Sequence, residues 1–148
     1  MASKNEEEIR KISVELRMLE QTAEALQSRL SMLNAVTQDL TYANMTLESL
    51  EKEKENSELL VPIGGTSYIR ARLDNPDKII VGIGAGVSVE KTRQEAKDVI
   101  KKRLEDLEKA RTSTQQQFAQ VAERINEDRE RFEDLAATVR GEKSSQNV

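Results

Sequence analysis

The stretch Pro62-Ile63-Gly64-Gly65-Thr66-Ser67-Tyr68-Ile69-Arg70-Ala71-Arg72-Leu73-Asp74-Asn75-Pro76-Asp77-Lys78-Ile79-Ile80-Val81-Gly82-Ile83-Gly84-Ala85-Gly86 holds both prolines and five of the six glycines of this 148-residue chain. Gly and Pro punctuate regular structure, so turns are confined to this window. Inside it the apolar residues alternate. Leu59, Val61 and Ile63 share one face, as do Ile69, Ala71 and Leu73, then Ile79, Val81 and Ile83, with Val87 and Val89 closing the series. Gly64-Gly65, Asp74-Asn75-Pro76-Asp77 and Gly84-Ala85-Gly86 supply the turn residues. The pattern predicts four short strands in two consecutive hairpins.

On either side the period becomes helical. Ile9, Ile12, Leu16, Leu19, Ala23, Leu26, Leu30, Leu33, Thr37, Leu40, Asn44 and Leu47 follow at alternating spacings of three and four, the seam of a coiled coil. The second seam reads Ile100, Leu104, Leu107, Arg111, Thr114, Phe118, Val121, Ile125, Asp128, Phe132, Leu135 and Val139. Polar residues at Thr37, Asn44, Arg111, Thr114 and Asp128 are read as setting register at some cost in stability. Ser3 with Glu6 and Thr92 with Glu95 fit capping boxes, Lys52 and Lys54 complement the end of the first helix, and Gly141 is placed to stop the second. Because the chain reverses between them, the arms are expected to pack antiparallel, with both termini at the tip remote from the bend.

The expected fold is therefore mainly α with a small β body: a long antiparallel coiled-coil hairpin whose two helices are linked by two short β-hairpins. A single domain spans 1–148, with an N-terminal helix over 3–56, a β body over 58–91, a C-terminal helix over 92–140 and a flexible tail over 141–148. About thirty residues of sheet bury too little surface to stand alone and leave unpaired edges. Assembly through the strands is expected to bury Ile63, Tyr68, Ile69, Leu73, Ile79, Ile80, Val81 and Ile83.

Composition narrows the function. Charged residues make up 34% of the chain and aromatics 3%, with no Cys, His or Trp, so thiolate and imidazole chemistry are absent. No metal or cofactor site is expected, and the chain is not read as an enzyme. A formal net charge of −4 with no basic block argues against nucleic acid and anionic membranes as partners. No apolar run reaches spanning length and the acidic start is not a signal peptide, which predicts a soluble, cytoplasmic protein. Gly82-Ile83-Gly84-Ala85-Gly86 fails as a dinucleotide fingerprint, since Val87 stands where the third glycine belongs, and Glu90-Lys91-Thr92 is not a phosphate loop. Val14, Met18, Ala25 and Met32 lie off the first seam as a weaker apolar stripe, suited to a soft contact surface.

The segment Leu60-Val61-Pro62-Ile63-Gly64 leading to Tyr68-Ile69, then Val81-Gly82-Ile83-Gly84-Ala85-Gly86, then Val89-Glu90-Lys91-Thr92 resembles the alpha subunits of the prefoldin family, in particular the archaeal type. The resemblance covers the whole chain. It implies a hexamer of two alpha and four smaller beta subunits with a double β-barrel body and hanging coiled coils. It further implies an ATP-independent holdase that grips non-native proteins at the coil tips and delivers them to a group II chaperonin. The corresponding tip positions are Ile9, Ile12, Leu16 and Leu19 with Phe132, Leu135 and Val139, and Val14 and Met18 on their outer side. The competing reading is a coiled-coil structural or adaptor protein that binds one defined partner; it leaves the paired hairpins without a purpose.

Overall fold

The computed structural model describes residues 3–148. Helix α1 spans Lys4–Leu50, four strands follow as β1 Glu58–Gly64, β2 Ser67–Arg72, β3 Lys78–Gly84 and β4 Val87–Thr92, and helix α2 spans Arg93–Gln146. The architecture is the expected one, two long helices with two small antiparallel hairpins between them.

Two helix ends differ from expectation. α1 stops at Leu50, so Lys52 and Lys54 lie beyond its last turn. The chain winds down there through tighter bonds, with the amides of Glu51, Lys52 and Glu53 donating to the carbonyls of Glu48, Ser49 and Leu50. It then reverses at Asn56, whose φ of 64° is left-handed. The Asn56 amide donates to the Leu73 carbonyl and the Leu73 amide to that of Ser57, so backbone pairing with the far side of the first hairpin claims this segment. At the other end α2 does not stop at Gly141 but runs to Gln146, so most of the expected flexible tail over 141–148 is helical. Gly141 lacks the positive φ of a helix-terminating glycine, and Lys143 beyond it pairs with Glu6 of α1 at 3.1 Å.

Both helix starts are capped. At α1 the pair is reciprocal: the Glu6 amide donates to Ser3 Oγ at 3.2 Å and the Ser3 amide to Glu6 Oε2 at 3.3 Å. At α2 the Glu95 amide donates to Thr92 Oγ1 at 3.2 Å, and that hydroxyl donates to Glu95 Oε1 at 3.1 Å.

The hairpins are near copies, displaced by twenty residues. Val61 pairs with Ile69 and Val81 with Val89; the register shifts between Pro62 and Gly64 in one and between Gly82 and Gly84 in the other. Each tip needs two consecutive left-handed residues, Gly65 and Thr66 (φ 56° and 58°) and Ala85 and Gly86 (φ 51° and 73°), which matches the right-handed twist of the strands. Between the hairpins, Asn75 Oδ1 accepts from the Asp77 amide at 2.9 Å, and the Asp77 carbonyl accepts from the Arg93 amide at 3.0 Å.

The chain divides into two compact units: the described residues up to Asn34 together with Lys109–Val148, and Ala35–Glu108. In the first, the helices are antiparallel, since Glu8 pairs with Arg131 and Glu15 with Arg124, one heptad apart on each helix and in opposite order. Every seam residue of this unit is buried or half-buried, from Ile9 to Leu33 and from Arg111 to Val139. In the second unit Leu47, Val81, Ala96 and Ile100 form a buried cluster, against which Leu40, Ala43, Leu50, Ile79, Val99 and Leu104 pack.

Candidate functional site

Two regions present apolar side chains in an arrangement that needs explanation, one in each unit. In the helical unit the nine residues read as a tip do not form one surface. Ile12 is buried, while Ile9, Leu16, Leu19, Phe132, Leu135 and Val139 are half-buried in the seam. Val14 and Met18, 58% and 63% exposed, lie on the outside of α1, and Met32 continues that stripe at 70%. A closed coil thus offers only the outer stripe; its larger apolar reserve becomes available when the helices part.

Charged side chains along both flanks resist that parting. Arg124 donates twice to Glu15 Oε1, from Nε at 3.1 Å and from a terminal nitrogen at 2.9 Å. Arg131 reaches Glu8 at 3.2 Å and Arg129 reaches Glu20 at 3.1 Å. The hydrogen bonds to Glu15 and the nearby charge of Asp128 raise the Arg124 pKa above its ordinary value. At the terminal turn Asn5 donates to Glu142 at 3.1 Å beside the Glu6–Lys143 pair. The hydrogen bond from Lys143, helped by the Ser3 amide, holds the Glu6 carboxyl below its usual range. These pairs are exposed, so each contributes little alone to holding the helices together, and Glu8–Arg131 and Glu15–Arg124 agree on a single register. Sequence reading overlooked them, although charges flanking the seam at heptad spacing are the signal that would have found them.

In the β-containing unit the residues expected to mediate assembly separate into two groups. Ile63, Tyr68, Ile69, Ile80 and Ile83 are more than half exposed. Val81 is 8% exposed and, with Ile79, packs inward on the helices, so these two build the chain's own core rather than a free surface; Leu73 is half-buried at the end of the first hairpin. Leu60 and Val87, 62% and 51% exposed, belong with the free group and were missed, although strict alternation puts Leu60 in the place that Ile80 takes twenty residues later. Arg103 donates to the Gly82 carbonyl and holds the second hairpin to α2. Beside it lies an apolar groove of about 430 Å³ lined by Leu40, Leu47, Ile79, Ile80, Ile100 and Arg103 among others. Among the described residues no three acidic side chains converge to hold a metal ion, and no helix is long and apolar enough to cross a membrane.

Comparison with known proteins agrees with this construction. Residues 19–137 match the family model described as "Prefoldin subunit". Prefoldin subunit alpha of Methanococcoides burtonii is 33% identical, covering 84% of this chain and 91% of the relative. That of Pyrococcus horikoshii is also 33% identical, covering 84% and 85% respectively. Among solved structures, a filamentous PFD from Methanocaldococcus jannaschii, determined by cryo-EM, aligns with a TM-score of 0.67 at 26% identity over 76% of this chain and 93% of its own. Paired heptad seams joined by two duplicated hairpins, and a match that runs through all of them, establish that the chain belongs to the prefoldin subunit family, whose members are chaperones.

Proposed function

We propose that this chain is the alpha-type subunit of an ATP-independent holdase, which captures unfolded segments at the terminal ends of the coiled coil and passes them to a group II chaperonin in the cytoplasm. The observation that carries the reading is the apolar reserve of the helical unit: Ile9, Leu16, Leu19, Phe132, Leu135 and Val139 only half-buried, with Val14 and Met18 already outside. A site that must accept many sequences is best served by apolar, adaptable, non-directional contacts, repeated on several arms so that weak binding adds up. Helix ends open most easily, which permits capture and release without nucleotide. The chain performs no catalysis in this scheme and uses no metal or cofactor.

The exposed sheet residues Leu60, Ile63, Tyr68, Ile69, Ile80 and Ile83 support assembly with two copies of this chain and four smaller beta subunits. Native mass spectrometry of the complex from its own cells tests the stoichiometry; a homodimer, or one folded partner at fixed ratio, favours the adaptor reading instead. Capture at the ends is tested by removing one or two turns from each terminus. Aggregation suppression is expected to disappear while the assembly survives, and retained suppression would overturn the assignment.

A further inference from the structure

Asp128 is the only fully buried charged side chain among the described residues, at 0% exposure in the seam of the helical unit. The heptad pattern reserves that position for an apolar residue. The other buried polar seam residue, Thr114, is satisfied, its hydroxyl donating to the Ala110 carbonyl at 2.7 Å. Asp128 is not: neither carboxylate oxygen accepts a hydrogen bond from the chain. Its partners are Arg124 and Arg131 on its own helix, whose nearest nitrogens lie 3.6 and 3.5 Å from Oδ1. Both arginines direct their shorter bonds across to α1, Arg124 to Glu15 and Arg131 to Glu8, and Arg124 also faces Glu127. The carboxylate is stripped of water and under-bonded, and it shares both arginines with other carboxylates.

Such a group weakens the closed state. Desolvation of a carboxylate is offset only by excellent geometry, and removing Asp128 alone leaves no buried charge behind, because Arg124 and Arg131 are about half exposed and keep Glu15 and Glu8 as partners. When the helices part, Asp128 regains water. The cross-helix arginine pairs are exposed and lose little on opening.

We propose that Asp128 is a release residue, a carboxylate placed in the seam so that this stretch of coil opens more readily than its apolar pattern alone allows, uncovering Leu16, Leu19, Ile125 and Phe132 for an unfolded segment. The effect on opening stands on the geometry; its link to capture rests on the holdase reading above.

The test measures amide hydrogen exchange and aggregation suppression for the full-length chain in its native assembly, as wild type, Asp128→Leu and Asp128→Asn. Asp128→Leu is expected to slow exchange about tenfold in peptides covering residues 8–20 and 124–135, the factor that a gain of about 1.4 kcal/mol produces, and to reduce suppression. Asp128→Asn keeps the side-chain shape without the charge and is expected to slow the same peptides by a smaller factor, which guards against a leucine that fails to pack. Unchanged or faster exchange in both variants overturns the release role. Slower exchange with undiminished suppression overturns its coupling to capture. Absence of suppression in the wild-type assembly itself identifies failure of the holdase reading, separately from the exchange result.

Discussion

The two hairpins obey one local code and meet different fates. Their pairing partners, bulges and tip conformations correspond at a displacement of twenty residues. Yet Val61 in the first is 36% exposed, while Val81, its counterpart in the second, is 8% exposed. The second hairpin lies against Leu47, Ala96 and Ile100, which complete a core with Ile79 and Val81. None of the residues of the first belongs to that buried cluster. Local rules therefore make a hairpin, and its surroundings decide whether its apolar face stabilises the chain or is left for another molecule.

The strongest way to break this comparison is to charge the free hairpin. Ile63→Asp with Ile69→Asp is expected to leave helix content intact but to dissociate the assembly, read by native mass spectrometry. Normal stoichiometry would show that the first hairpin is not an interface. A sharper and smaller contrast compares equivalent truncations in the isolated chain. Val81→Ala should destabilise by about 2 kcal/mol through loss of buried methyls, whereas Val61→Ala should change stability by about 0.5 kcal/mol or less. Equal shifts in thermal midpoint would erase the distinction between the two.

The tips should behave alike, because they answer only to local conformation. Thr66 and Ala85 both carry a side chain at positive φ. Glycine there is expected to stabilise by about 1 kcal/mol at Thr66 and about 0.5 kcal/mol at Ala85, measured by urea unfolding. A loss of stability at either would mean that the side chain makes a contact worth more than the strain.

The smallest effect lies in the helical unit and serves as a control. The Glu6 carboxyl titrates below its usual range in the folded chain, so its contribution is complete above the ordinary glutamate value and is lost as pH falls through the lowered folded value. Amide exchange in the first turn of α1, taken relative to its intrinsic rate at each pH, should therefore speed up in that acidic window. Glu6→Gln should show the faster exchange already at neutral pH, with the hairpins unchanged.

Much of the fold is legible in the residue pattern itself. Alternating threes and fours place Ile9 to Leu47 and Ile100 to Val139 on one face each, and all are buried or half-buried. Glycine and proline placement marks the turns because few other residues tolerate those angles. Gly141 misled, because a glycine past a long seam resembles a stop, whereas the Glu6–Lys143 and Asn5–Glu142 contacts favour continued helix. The separation of Ile79 and Val81 from Ile63 and Ile69 was not readable, since all four share the same alternation.

Sequence alone determined the elements, their order, their turns and the apolar face of each, because these follow from backbone sterics and side-chain period within a few residues. Tertiary structure decided which of two equivalent faces is covered, which arginine reaches which glutamate, and that the carboxylate of Asp128 is sealed away from water. Those outcomes depend on groups far apart in the chain, and burial is a property of what arrives beside a residue rather than of the residue itself.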